Sequence, residues 1–211
     1  MAIINGLFGS FSGKIGNYVG CRWKGGMYVR TRPKPKPHYK PSPKQQAQQR
    51  KFALATSFLQ PIVPLIKVSF QPDGSQRAPK NRAVSWILKQ AITGTGTEVS
   101  LDYPKILISR GDLSNALEAT AVATGTGQVL FTWKNDMDYV QAQRSDKVLL
   151  VVHCPELNQS VYDTAAASRA SETATIEASA FTGKSVHTWI GFVSEDCQLA
   201  ANSLYTGELT V

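Results

Sequence analysis

Near residue 99 the spacing of apolar residues changes from about 3.6 to about 2, and no other feature restricts the fold as much. A period of two sends alternate side chains to opposite faces of a strand. Beyond the switch it predicts strands at 105–109, 119–123, 128–133, 147–153, 159–164, 174–178, 186–193 and 203–211. Turn-rich segments separate them, among them Gly125-Thr126-Gly127, Asn135-Asp136-Met137-Asp138 and Ser194-Glu195-Asp196. Many short strands at this spacing predict a sandwich of two sheets. The stretch 117–211 has the length of one immunoglobulin-like or fibronectin III-like domain.

Before the switch the pattern is helical. Ser42 is an N-cap residue, Pro43 suits a first helical turn and Gln45 completes a capping box, so a helix is expected over 45–59. Its apolar stripe is read as Phe52, Ala55 and Leu59, with Phe58 beside it. Pro61 and Pro64 interrupt the helix, and Ile62, Val63, Leu65, Ile66, Val68 and Phe70 continue as a buried connection. A second helix is expected over 79–92. It carries Val84, Ile87, Leu88 and Ala91 on one face and Lys80, Arg82 and Lys89 on the other, and Gly94-Thr95-Gly96 ends it.

Residues 15–23 and 27–31 read as a β-hairpin turning at Lys24-Gly25-Gly26. The segment that follows, PKPKPHYKPSP at 33–43, alternates proline with basic and polar residues. Such a sequence stays extended as polyproline II and cannot supply a full set of ladder donors. At about 3.1 Å per residue it reaches roughly 34 Å, enough to lie across a neighbouring molecule. The expected fold is therefore α+β and mainly β. A hairpin, a basic Pro-rich arm and two helices occupy 1–98, and an immunoglobulin/fibronectin III-like β-sandwich occupies 99–211, its core at about 117–211.

Charge is divided unevenly along the chain. Residues 1–92 hold 16 Lys and Arg against the single acid Asp73, a net of +15; residues 93–211 hold 7 against 14 acids, a net of −7, and the two halves give the chain its +8. This asymmetry points to a polyanion, or to a partner presenting the opposite face, which another copy of the same chain would supply. No run approaches the roughly 18 apolar residues that a membrane span needs. The opening MAIINGLFGSFSGK lacks the basic start and sustained apolar stretch of a signal peptide, so a cytoplasmic location, or incorporation in a virion-like particle, is expected.

The stretches FSGKIGNYVG, RWKGGMYVRTRP, QQAQQRKFALATSFLQP, ILISRGDL and FVSEDCQLAANSLYTGELTV together resemble an uncharacterised Bacteroidota family, a domain of unknown function of about this length. The resemblance covers nearly the whole chain. It implies a basic N-terminal region before a β-sandwich and carries no catalytic residues. The basic opening of about 60 residues is also similar to segments of phage structural proteins. In the C-terminal half the order of features resembles a fibronectin type III domain: Trp133 in an early strand, then the apolar VLLVV, then VHTWIGFVS and NSLYTGELTV as a closing hairpin.

Catalytic and ligand-binding patterns are incomplete. GSFSGK at 9–14 has three residues between its glycines and Ile15 after the lysine, so it fails the phosphate-loop pattern twice. TGTGT at 93–97 and TGTGQ at 124–128 lack the third glycine of a dinucleotide fingerprint. His153 and Cys154 are adjacent and would point to opposite faces of a strand. His187 and Asp163 show no recognisable spacing to them. Asp136 and Asp138 lack the remaining ligands of a calcium loop. Cys21, Cys154 and Cys197 form no CxxC pair and read as reduced, mostly buried thiols. No cofactor, metal or small-molecule substrate is expected.

The expected interaction residues are Arg30, Arg32, Lys34, Lys36, Lys40, Lys44, Arg50 and Lys51, with Trp23, Tyr28 and Tyr39 as aromatic contacts. Cations interleaved with aromatic rings can hold single-stranded nucleic acid by charge neutralisation and stacking. The competing expectation packs the aromatic rings on the helices and leaves the cations in water. Two functions follow. One is a non-enzymatic structural protein that assembles with itself or within a phage-like particle. The alternative is sequence-independent nucleic-acid binding. An enzyme is not expected.

Overall fold

Strand pairing organises the chain from its first described residues. The computed structural model describes residues 3–4, 11–23, 26–34, 40–72, 74, 76–96, 98–125, 127–135 and 142–211. Two compact units divide it, Met1–Pro41 and Ser42–Val211. The first is an antiparallel meander of β1 (Ile3–Ile4), β2 (Phe11–Ile15), β3 (Tyr18–Trp23) and β4 (Gly26–Thr31), in that order. The expected hairpin is present as β3 and β4. Its first strand does not begin at Ile15, because Gly16 takes a positive φ of 55° and turns the chain so that Ile15 faces Tyr18. The expected turn residues Lys24 and Gly25 lie outside the described residues, as do residues 35–39 of the Pro-rich arm.

The second unit opens with α1 (Pro43–Leu59). The Ser42 Oγ accepts from the Gln45 backbone N–H, and the Gln45 side chain accepts from the Ser42 N–H at 2.9 Å, so the capping box forms as the sequence predicts. Ala55, Phe58 and Leu59 are buried, whereas Phe52 is 52% exposed and does not belong to the core stripe. A 3-10 turn (Gln60–Ile62) leads into α2 (Val63–Ser69), so the expected apolar connection is itself helical. Pro61 and Pro64 each fall in the first turn of their helix, where a missing N–H breaks no bond. The continuous stretch Pro43–Ser69 is 27 residues long and by length and composition meets the requirement for a membrane crossing, which the reading of single apolar runs missed. Its inward side chains, Phe58, Leu59, Ile62, Leu65 and Ile66, are core residues of this unit.

Helix α3 (Pro79–Gln90) ends two residues earlier than expected. Ile92 instead starts a hairpin of β5 (Ile92–Thr95) and β6 (Glu98–Leu101), and Gly94 and Gly96 serve that hairpin rather than a helix end. The expected division at 98/99 falls inside this hairpin. The strand expected at 105–109 does not form. A 3-10 turn (Tyr103–Lys105) precedes an irregular buried segment that is bonded by serine side chains: Ser69 Oγ donates to the Ile108 carbonyl at 2.7 Å, and the Ile108 N–H donates to Ser203 Oγ at 2.9 Å.

Seven strands then form the sandwich. They are β7 (Leu117–Thr124), β8 (Gln128–Lys134), β9 (Lys147–Cys154), β10 (Gln159–Asp163), β11 (Thr173–Glu177), β12 (Ser185–Val193) and β13 (Leu204–Thr210). One antiparallel sheet runs β11-β8-β7 and the other β10-β9-β12-β13, the expected immunoglobulin/fibronectin III-like arrangement. Between the sheets lie Phe131 and Trp133 of β8, Leu150 and Val152 of β9, Ile176 of β11, and Ile190 and Phe192 of β12. The opposite face of β9 and β12, with Leu149, Val151 and Trp189, shares a second core with α1, α2 and α3. Strand β9 is thus buried on both faces, which explains its unbroken VLLVV.

Candidate interaction surfaces

In the N-terminal sheet, register brings Lys14, Val19 and Arg30 into one cross-strand row, with Cys21 opposite Tyr28 in the next row on the same face. The other face carries Ile15, Tyr18 and Thr31 in a row, and Met27 opposite Arg22. Tyr18 is 56% and Tyr28 49% exposed, so neither ring is packed away. Arg32, Pro33 and Lys34 line a cleft of about 440 Å3 with Asn17, Tyr18 and Thr31, closed at one point by the Arg32 N–H donating to the Asn17 carbonyl at 2.7 Å. Aromatic and cationic groups are therefore interleaved and open to solvent on this sheet.

Lys36 and Tyr39 lie outside the described residues, as does the Trp23 side chain. Lys40 is exposed in the first unit, next to the boundary. Lys44, Arg50 and Lys51 are on α1 of the second unit, the first two exposed and the third half-buried. Arg50 borders a cleft with Ala53, Leu54, Ser57 and Val99.

Three arrangements in the second unit were not legible in the sequence. His153 and His187 are Cα partners on neighbouring strands β9 and β12. The His153 Nδ1 is 2.8 Å from Ser160 Oγ, and the His187 Nδ1 is 2.8 Å from the Tyr205 hydroxyl. Phe58 meets His153 edge-on and Tyr103 stacks on His187 with centroids 3.8 Å apart. Burial, and then the neighbouring His187, lower the His153 pKa from 6.5 to about 4. Burial also lowers that of His187, against the pull of Glu208. Both rings are held neutral and covered, an arrangement suited to packing. Cys154 points to the inter-sheet core, away from His153, as strand alternation requires. All three cysteines are free, but only Cys154 is buried; Cys21 and Cys197 are half-buried.

The second arrangement is the buried pair Arg169–Asp146, Nε to Oδ2 at 3.0 Å. The guanidinium also donates to the Ser114 carbonyl at 2.7 Å and lies over the Phe192 ring at 4.2 Å. The Arg169 carbonyl accepts from the Trp133 indole N–H at 2.9 Å, which ties the core tryptophan to this pair. The third is Arg82, expected on a solvated helix face but 6% exposed. It turns inward because its guanidinium donates to the backbone carbonyls of Phe70 and Arg77. Among the described residues no group of three or more His, Cys, Asp or Glu is arranged to hold a metal ion. Asp136 and Asp138 lie outside those residues.

A family of unknown function (DUF6266) matches residues 10–207, which is almost the entire chain. The chain belongs to this family. Both compact units fall largely within the DUF6266 match, so the basic sheet and the sandwich with its helices are parts of one family architecture. No curated protein matches the chain.

Proposed function

We propose that this DUF6266 protein is a non-enzymatic structural subunit that assembles with further copies of itself, or within a larger, phage-like particle in the cytoplasm, through its basic N-terminal region. The observation that carries this reading is the charge division, a net of +15 over residues 1–92 against −7 over 93–211. Head-to-tail contact between a basic surface of one copy and an acidic surface of the next uses both halves and propagates into rings or filaments. The exposed apolar side chains of the N-terminal sheet, Ile15, Met27 and Val29, add surface that a protein contact would bury.

Light scattering on nuclease-treated full-length protein at low and high salt tests it. Large species that survive nuclease and dissociate only at high salt support assembly through charge. A monomer at both salts overturns it.

One observation favours a second reading, sequence-independent nucleic-acid binding: the exposed Tyr18 and Tyr28 stand among Arg22, Arg30 and Arg32. Joint replacement of Lys34, Lys36 and Lys40 by glutamine would then weaken binding to single-stranded DNA and flatten its salt dependence. Unchanged affinity removes this reading.

A further inference from the structure

A second basic surface lies on α3, in the unit Ser42–Val211. Arg82, Ser85, Trp86 and Lys89 recur at i, i+3, i+4 and i+7 and so share one side of the helix. With Arg77 and Arg110 they line a cleft of about 230 Å3. Arg110 is brought there by tertiary pairing. Its N–H donates to the Ser69 carbonyl and its carbonyl accepts from the Gln71 N–H, both at 2.9 Å, in a parallel bridge beside Phe70. The guanidinium then sits over the Trp86 ring at 5.0 Å, and the ring is held by its Nε1–H donating to the Lys105 carbonyl at 3.1 Å. Two arginines and an indole are thus positioned by backbone bonds before any ligand arrives.

Among the described residues nothing compensates the charge at this cleft. Arg77, Arg82, Lys89 and Arg110 form no ion pair, and no carboxylate lines the cleft, among the described residues. Arg82 is nearly fully buried, and its Nε is a buried donor without an acceptor. A buried guanidinium held only by carbonyls, with three further cations close by, is an unfavourable arrangement unless an anion completes it.

We propose that this cleft is an oxyanion site that takes a phosphate group. Four positive charges exceed what one carboxylate neutralises, and phosphate presents several strong acceptor oxygens to planar guanidinium forks. The cleft is smaller than those that enclose drug-sized ligands, so it holds a phosphate group rather than a whole nucleotide. One face of Trp86 is covered by Arg110, so the indole orients the arginine. The phosphate is either free or part of a nucleic-acid backbone. The site does not rest on the N-terminal sheet or the Pro-rich arm, although Arg77, Arg82 and Lys89 are among the cations counted in residues 1–92.

The test is calorimetric titration of nuclease-treated full-length protein, in phosphate-free buffer, with sodium phosphate, with a short oligothymidylate and with sodium acetate. It is repeated with the double variant Lys89→Gln/Arg110→Gln, and with Lys67→Gln as an exposed control on α2. The expected result is binding of phosphate or of the oligonucleotide, weakened about tenfold or more in the double variant and unchanged in the control. A loss confined to phosphate assigns the free anion, and a loss that extends to the oligonucleotide assigns the backbone phosphate. Equal affinity in the double variant, acetate binding as tightly as phosphate, or no binding in either phosphate arm overturns the proposal. None of these titrations reads the assembly state, so the outcome is separable from that of light scattering.

Discussion

His187 lies directly across from His153 on β12 and β9, and the Tyr103 ring stacks on it at 3.8 Å between centroids. The pair sits where α1 and the Tyr103 turn cover the outer face of the four-stranded sheet, since Phe58 packs edge-on against His153. Protonating either ring places a charge under this aromatic cover. The titratable groups facing the pair are Tyr103, Tyr205 and Glu208, of which Glu208 is the carboxylate opposite His187.

Acid should therefore weaken the fold over a defined window. The His153 pKa is depressed from 6.5 to about 4, so between these values the unfolded chain binds the proton and the folded one does not. Stability is full above about pH 6.5, falls with decreasing pH and levels off below about pH 4, with a total loss of about 3 kcal/mol from this residue. His187, shifted in the same direction, adds to the fall. Urea denaturation at pH 7.5, 5.5 and 4.0 measures the slope. A His153→Gln variant should flatten it, and a wild-type slope in that variant would refute the assignment.

Removing the carboxylate of the buried pair should be severe. Asp146→Asn leaves the Arg169 guanidinium buried without its counter-charge, at a loss of about 3–5 kcal/mol. Asp146→Asn combined with Arg169→Met should be less damaging than Asp146→Asn alone, since no unpaired charge remains. Urea midpoints of the two variants check both statements.

Gly191 should not tolerate a side chain. A Cβ there would sit 2.5 Å from Ser109 Oγ, which is itself buried and donates to the Ala201 carbonyl at 2.8 Å. The hydroxyl cannot move without losing that bond. Gly191→Ala is expected to destabilise by about 1–3 kcal/mol. A Gly191→Ala/Ser109→Ala variant that recovers part of the loss in thermal melts would confirm the clash as its source.

The α1 cap gives a milder effect. Ser42→Ala removes the acceptor for the Gln45 N–H and should destabilise the second unit by about 1 kcal/mol. Ser42→Asp should retain most of the stability. Denaturation midpoints of the two variants, which differ only in the acceptor, make the comparison.

Several elements were readable because their causes are local. The Ser42/Gln45 box acts over three residues, and the period-two stretches gave the positions of β7 to β13 closely. The same local reasoning failed where a distant partner decided the outcome. Phe52 fits a core stripe by spacing yet stands 52% exposed, bordering a cleft with Val84 and Leu88 of α3. Arg82 looks solvated by spacing, but the Phe70 and Arg77 carbonyls draw it inward. The strand expected at 105–109 was lost because its backbone bonds go to Ser69 and Ser203, far away in sequence.

The amino-acid sequence by itself determined the α+β class, the order of helices and strands, and the unequal charge of the two halves, since these depend on short-range periodicity, caps and composition. Tertiary structure alone decided which residues meet: His153 with His187, Asp146 with Arg169, and Arg110 with Trp86 beside Arg82. Such contacts depend on sheet register and on which helix face reaches the sheet. Residues far apart in the chain set these jointly, and no local pattern encodes them.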